Sequence, residues 1–227
     1  MLPITLCLTI GRRPDLLKQT LNSLLDLDQF SKVIAINDFR DQETNDMFMA
    51  LCPKGQLISL DKQLGHHRAV DFMYQQVSTS HVLHCEDDWL FDTRLDIPKA
   101  MALLTSDTRF SQVCLRKIKD FHFLPEIEPQ LVLEKTIDAH FYRLDRIHPQ
   151  WHGYTFNPHI ASLETWRAIG GFSQFQKERH ISRYLRKNGK FTAYMEPGSC
   201  MHIGDNQSVS VIPSKTSGLR TLRKKLK

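Results

Sequence analysis

The sequence predicts an α/β protein: a Rossmann-like, three-layer α/β/α sandwich around a mostly parallel central sheet. Three observations carry that expectation. Within residues 1–92, four short apolar runs rich in Ile, Val and Leu alternate with three segments of helical apolar spacing. Such alternation builds parallel strands joined by right-handed crossovers, with helices on both faces. Each run also ends in polar or charged residues, and open α/β sheets bind ligands beyond the carboxyl ends of their strands.

The elements follow in order. ITLCLTI (4–10) makes the first strand and meets Gly11-Arg12-Arg13. Pro14-Asp15 then opens a helix whose Leu16, Leu17, Thr20, Leu21, Leu24 and Leu25 recur at helical spacing, with Pro and an acid where a first turn favours them. VIAIND (33–38) is the second strand, Glu43 to Leu51 the second helix and QLISL (56–60) the third strand. LGHHRAVDFMYQQV (64–77) places Ala69, Met73 and Val77 on one helical face, and HVLHC (81–85) is the fourth strand.

The second half is less regular. IPKAMALLT (97–105) reads as a helix and FSQVCLRKI (110–118) as a strand, while residues 119–150, with Pro125, Pro129 and Pro149, read as irregular or mobile chain. YTFNPHIASLETWRAIGGF (154–172) has a strand-like start and a helix capped by Ser162 and stopped at Gly170-Gly171. An amphipathic helix over 178–188, a strand FTAYM, a Pro197-Gly198 turn and CMHIGD complete a single domain over 1–212, its halves meeting at 92/93. Residues 213–227 form a basic tail.

Composition narrows the class. The 227 residues are 41% hydrophobic and 24% charged, which fits a globular domain rather than disorder or a membrane body. The start, MLPITLCLTIGRRPDLL, lacks a basic region before its apolar run and reads as a strand, not a signal. Cys7, Cys52, Cys85, Cys114 and Cys200 are odd in number and lie mostly in apolar runs, which favours free thiols and a cytoplasmic setting. Net charge is +5, with Arg220, Arg223, Lys224, Lys225 and Lys227 gathered at the end. That tail is either a frayed terminus or a segment resting on anionic lipid or nucleic acid.

The densest chemistry lies in HVLHCEDDWLF (81–91), a buried strand that ends in three consecutive acids and a tryptophan. Carboxylates this close repel unless something positive sits among them, and a divalent cation is the natural neutraliser. A solvated acidic turn or a helix cap is the bland alternative, which Trp89 makes less natural. Nucleases and phosphatases that use such acids add further carboxylates or histidines in patterns this chain lacks.

In their order, LTIGRRPDLLKQTLNSLL, VIAIND, LGHHRAV, CEDDW, IGGF and MHIGD resemble the nucleotide-sugar glycosyltransferases of the GT-A fold, above all glycosyltransferase family 2 and its relatives. The resemblance runs over most of the chain. It implies a DXD-like motif in which Asp88 binds a Mn²⁺ or Mg²⁺ on the donor diphosphate, with Glu86 or Asp87 facing the ribose or donor sugar. His202 matches the family's late histidine as a second metal ligand, and an imidazole beside a carboxylate leans toward Mn²⁺; Asp205 is the weaker candidate.

Thr9, Arg12 and Arg13 fall where the first loop approaches the nucleotide, with one or both arginines turned inward. Asp38 is either the family's base-binding acid or ordinary turn chemistry. Gly65, Ala69 and Asp71 follow the family's run of Gly and then Ala-Arg-Asn; Val70 departs from it, and Arg68 is a cation able to compensate. His66 and His67 diverge by about 100° on a helix and suit a helix-start surface better than a metal pair. Glu178, after the Gly-Gly-Phe segment, takes the place of the general base of an inverting transfer, with His180 as its substitute and a favourable first-turn acid as the alternative. The stretch before it, GGFSQFQK, reads as mobile.

The resemblance implies a nucleotide-sugar donor and a glycan or lipid-linked hydroxyl acceptor rather than nucleic acid, as in cell-envelope polysaccharide or lipopolysaccharide assembly, with the tail available for peripheral membrane contact. Two other readings stand beside it. A sugar-phosphate nucleotidyltransferase shares such a sheet but carries a Gly-rich phosphate loop, where TIGRRPDLL has one glycine. A non-catalytic sugar-nucleotide or glycan-binding module would have no need of Asp88, His202 and Glu178 together.

Overall fold

The computed structural model of the chain describes residues 2–24, 26–148 and 150–204. Its strands are β1 (Leu2–Ile10), β2 (Phe30–Asn37), β3 (Gln56–Ser59), β4 (His81–Glu86), β5 (Trp89–Phe91), β6 (Phe110–Cys114), β7 (Leu133–Lys135), β8 (His140–Arg143), β9 (His159–Ser162), β10 (Phe191–Glu196) and β11 (Cys200–His202). Its helices are α1 (Pro14–Ser23), α2 (Gln42–Leu51), α3 (His66–Tyr74), α4 (Ile97–Ser106), α5 (Leu163–Ala168) and α6 (Glu178–Lys187).

Alternation along β1 and β2 sets the layers. Leu6, Leu8, Ile10, Val33 and Ala35 join one core with Leu17 and Leu21 of α1, Phe48 of α2 and Ala100 and Leu103 of α4. Cys7, Ile34 and Ile36 point to the other face and join Ala69, Val70 and Met73 of α3, Leu163 of α5 and Ile181 and Leu185 of α6. Because the sheet is covered on both sides, its central strands read as nearly continuous apolar runs.

Nine strands form the sheet in the order β3-β2-β1-β4-β9-β6-β10-β8-β7. Only β9 and β8 run against the rest, so the sheet is mostly parallel as expected. The register sets Thr9 beside both Ile36 and Glu86, and Ile10 beside Asn37. The carboxyl ends of β1, β2 and β4 therefore share one rim, with Gly11, Asp38 and Asp87 just beyond it.

Three expectations change. Residues 119–150 are not all irregular: β8 pairs antiparallel with β10, and β7 with β8. The strand expected over 110–118 ends at Cys114, because Leu115 turns to bond Pro158 O and accepts from Ser199 N, and Lys117 N then bonds Cys200 O. The strand before α5 is His159–Ser162 rather than the run at 154, and Ser162 Oγ caps α5 by accepting from Glu164 N at 3.2 Å. The five cysteines are buried and free. Among the described residues, no helix is long and apolar enough to cross a membrane. Residues 205–212 and the basic tail lie outside the described residues.

Candidate functional site

At the end of β1, Gly11 N donates to Asp87 Oδ2 at 2.9 Å. A Cβ at Gly11 would lie 2.2 Å from the Phe39 ring, so only glycine lets the loop come this close. The next two residues part company. Arg12 has a positive φ of 59° and is exposed, with its guanidinium over the Phe39 ring. Arg13 turns inward, and its guanidinium forks onto Asp87 and onto Asp88 Oδ2, the latter at 2.5 Å.

His202 reaches Asp88 through a two-stranded ribbon that the sequence does not announce. β5 and β11 pair antiparallel with Trp89 opposite His202, and Ile203 N bonds the Asp88 carbonyl at 2.9 Å. This brings His202 Nε2 to 3.1 Å from Asp88 Oδ2 across 114 residues of chain. The His202 backbone N–H donates to Asp120 Oδ2 at 3.1 Å, and Asp120 is itself held by Arg116 Nε at 2.7 Å. Arg116 in turn lies over the rings of Trp89 and Phe121. Neither Arg116 nor Asp120 stands out in the sequence as a site residue.

The pair fits a divalent ion. Asp88 Oδ1 is buried without a hydrogen-bond partner, which leaves a hard oxygen free beside an imidazole nitrogen. A Cβ at Gly204 would sit 2.3 Å from Asp88 Oδ2, so glycine there keeps the space open. Among the described residues no three or more His, Cys, Asp or Glu are arranged to hold a metal ion by themselves, and an ion held by Asp88 and His202 would take its other ligands from substrate and water.

Electrostatics separates the three acids. Burial drives the Glu86 carboxyl up to about 8, helped by Asp88, Glu178 and Asp87. Burial also lifts Asp87 to about 6, against the pull of Arg13 and the Gly11 N–H. At Asp88 the hydrogen bond from His202 and the charge of Arg13 outweigh burial and hold the carboxyl below its usual range.

The remaining candidates divide. Thr9, Gly11, Arg13, Asp38, Gly65, Glu86, Asp87, Asp88 and His202 line one cavity of about 650 Å³. Asp38 is buried and accepts from Leu64 N at 2.6 Å and Gly65 N at 2.8 Å, so it shapes the start of α3 as well as the cavity floor. Arg68 is exposed and, with Arg12, stands outside the lining.

Glu178, the first residue of α6, lies beyond the lining but close enough to Glu86 to raise it. Burial pushes Glu178 up to about 7, against hydrogen bonds from the Thr155 hydroxyl and the Phe156 N–H. The segment leading to it is anchored at its start. Asp71 Oδ1 accepts from Trp166 Nε1 and Phe172 N, both at 2.7 Å, and Oδ2 accepts from Ser173 N at 2.8 Å. The acid in α3 thus pins the Gly-Gly-Phe turn that the sequence suggests is mobile.

Three solved structures share this arrangement of strands and helices. The mannosyltransferase PcManGT from Pyrobaculum calidifontis, in complex with GDP-Man and Mn2+, has a TM-score of 0.64 at 14% identity over 91% of this chain and 58% of that one. The chain has the GT-A fold. S. aureus TarS 1-349 gives 0.61 at 13% identity over 88% of this chain and 60% of that one. GalNAc-T7 with UDP, GalNAc and Mn2+ gives 0.59 at 10% identity over 88% and 43%. The GT-A chain described here therefore spans between two fifths and three fifths of these neighbours' lengths. No family model and no curated protein matches its sequence. In this GT-A sheet, the Asp88 rim lies at the carboxyl ends of the parallel strands.

Proposed function

We propose that the chain is a metal-dependent glycosyltransferase that moves a sugar from a nucleotide-diphosphate donor to a hydroxyl on a glycan or lipid-linked acceptor, with inversion. The observation that supports the reading is the Asp88–His202 pair at the rim of the cavity, beside Glu86, whose carboxyl the charge of the nearby Glu178 helps to raise. The Mn2+ in the PcManGT and GalNAc-T7 structures supports the kind of cofactor, and their GDP-Man, UDP and GalNAc the kind of donor.

In this reading Thr9, Asp38 and Gly65 shape the nucleotide end of the cavity, and Arg13 faces the diphosphate. Asp88 and His202 hold Mn²⁺ or Mg²⁺, which when bound supplies positive charge to the departing diphosphate. Asp87 is already engaged by Gly11 N and Arg13, which leaves Glu86 to face the sugar. Glu178 takes the acceptor proton as the hydroxyl attacks the anomeric carbon from the side opposite the diphosphate, and a carboxyl near 7 suits that task at neutral pH.

Titration calorimetry with UDP and GDP, with and without Mn²⁺, tests the reading. Wild type should bind one nucleotide more tightly with metal, and Asp88→Asn should lose that dependence while staying folded. Equal affinity with and without Mn²⁺ in the wild type would overturn it and favour a non-catalytic module.

A further inference from the structure

The strand that carries His202 is short and is held along both edges. β11 has three residues, and one of its edges pairs with β5, where Ile203 N also bonds the Asp88 carbonyl. The other edge faces the chain that leaves β6. There Ser199 N and Cys200 N bond Leu115 O, and Lys117 N bonds Cys200 O at 2.9 Å. A Cβ at Gly198 would lie 2.7 Å from Lys117 Cα, so the two backbones meet in direct contact. The next donor along that edge, His202 N, meets a side chain instead of a strand: Asp120 Oδ2 accepts from it at 3.1 Å. The last residue of a strand frays unless its backbone donor is paired, and a rotation here would carry the imidazole away from Asp88 Oδ2, which lies 3.1 Å from Nε2.

Asp120 is itself immobilised. The same oxygen accepts from Arg116 Nε at 2.7 Å, and Arg116 Nη2 donates to the Asp120 carbonyl at 2.8 Å. Arg116 Nη1 donates to Asn157 Oδ1 at 3.2 Å, and the guanidinium carbon stands 4.1 Å from the ring centroid of Phe121 and 5.4 Å from that of Trp89. The His202 imidazole packs on the same Trp89, with ring centroids 5.1 Å apart. A planar guanidinium with all three nitrogens engaged is fixed in one orientation, and it fixes Asp120 in turn.

We propose that Arg116 and Asp120 are positioning residues of the Asp88–His202 pair: Asp120 closes the hydrogen-bond ladder of β11 at His202, and Arg116 locks Asp120, so that the imidazole meets a divalent ion with its geometry already set. The proposal rests on the glycosyltransferase reading, in which Asp88 and His202 hold that ion. Groups that orient a metal ligand without touching the metal change its affinity by roughly 10- to 100-fold.

The test is titration calorimetry of UDP and GDP, with and without Mn²⁺, on the full chain as wild type, Asp120→Ala, Asp120→Asn and Asp145→Ala. Asn can present its one carbonyl oxygen where Oδ2 stands and so keep both hydrogen bonds. Asp145 is the control, held by Arg143 in a comparably buried pair outside the cavity lining. Nucleotide affinity without metal should be the same in all four, because neither Asp120 nor Asp145 lines the cavity. In wild type Mn²⁺ should tighten nucleotide binding. Asp120→Ala should lose most of that gain, with apparent Mn²⁺ affinity down roughly 10-fold or more. Asp120→Asn should stay close to wild type, and Asp145→Ala should keep the full gain while melting below wild type. Should Asp120→Ala not fold, Arg116→Gln, which leaves Asp120 in place and removes its lock, replaces it with the same loss expected. Wild-type Mn²⁺ affinity in the Ala variant, an Asn variant as impaired as the Ala variant, or an equal loss in Asp145→Ala would overturn the proposal. A wild type indifferent to Mn²⁺ would sink the glycosyltransferase reading instead.

Discussion

Arg13 and Asp88 lie in direct ionic contact, with a guanidinium nitrogen 2.5 Å from Asp88 Oδ2, and the same group reaches Asp87. Three consecutive acids suggest a divalent cation as their neutraliser, and here the chain brings a cation of its own into the cluster. Arg13→Gln removes it and leaves two buried carboxylates without their partner. The metal-free variant should be less stable by about 3 kcal/mol, the scale for breaking one side of a buried pair, and Mn²⁺ alone should raise its melting temperature more than that of wild type. An Arg13→Gln chain that melts as wild type does, with and without Mn²⁺, would show that Asp87 and Asp88 do not depend on the guanidinium.

Gly204 tests the geometry from the other side. A methyl group there would lie 2.3 Å from Asp88 Oδ2, so Gly204→Ala must displace Asp88 or the end of β11. Metal-dependent nucleotide binding should fall by about tenfold or more, the loss typical when a metal ligand's support is disturbed, while circular dichroism stays that of wild type. Unchanged Mn²⁺ dependence in calorimetry would mean that Asp88 has room to move without loss.

The parallel half of the sheet was legible because β1, β2 and β4 are buried on both faces and so appear as apolar runs closed by polar rims. What was not legible depends on partners distant in sequence. Leu133–Lys135 and Trp89–Phe91 are three-residue strands, too short to show a period of two, and they exist because β8 and β11 pair with them. Arg12 and Arg13 look equivalent in sequence; the positive φ of Arg12 turns one outward and leaves the other facing the acids. Asp71 matches the family's run only as an acid in place of Asn, and nothing in the sequence announces that its three hydrogen bonds go to Trp166 and the Gly-Gly-Phe turn. Asp88 and His202 followed from the order of the motifs, but the ribbon that joins them did not.

Buried histidines make the fold sensitive to acid: burial lowers His66 and His152 to about 4, and two more stand at the centre of the sheet. His84 and His159 stack across β4 and β9 with ring centroids 5.3 Å apart, among Tyr74, Tyr154 and Phe156. Burial pushes His159 down to about 4; burial, then the charges of His159 and His66, hold His84 well below its usual range. The unfolded chain binds these protons below about 6.5 and the folded chain does not, so stability falls as pH drops from there toward 4. His159 alone accounts for a loss on the order of 3 kcal/mol over that window. In urea titrations at pH 7.5 and 4.5, His84→Phe should lose less stability than wild type, since one of the two groups is gone. An identical loss in both would place the acid sensitivity elsewhere.

Glu178 is the group whose proton the proposed reaction moves, and its environment makes a kinetic prediction. With the carboxyl raised to about 7 by burial, the base form grows in as pH rises through 7. Wild-type kcat/KM should therefore rise through that region, because it reports the free enzyme. Glu178→Gln keeps the size, removes the proton acceptor and should lower kcat by roughly 10²–10⁴-fold, with the rise near 7 abolished and donor affinity nearly unchanged. The split matters because a merely structural Glu178, capping the first turn of α6, would shift melting temperature and leave the pH profile in place. Near-normal turnover in the Gln variant would move the role to His180, or indicate a retaining transfer that needs no such base, since the Asp88–His202 pair would still account for metal-dependent donor binding.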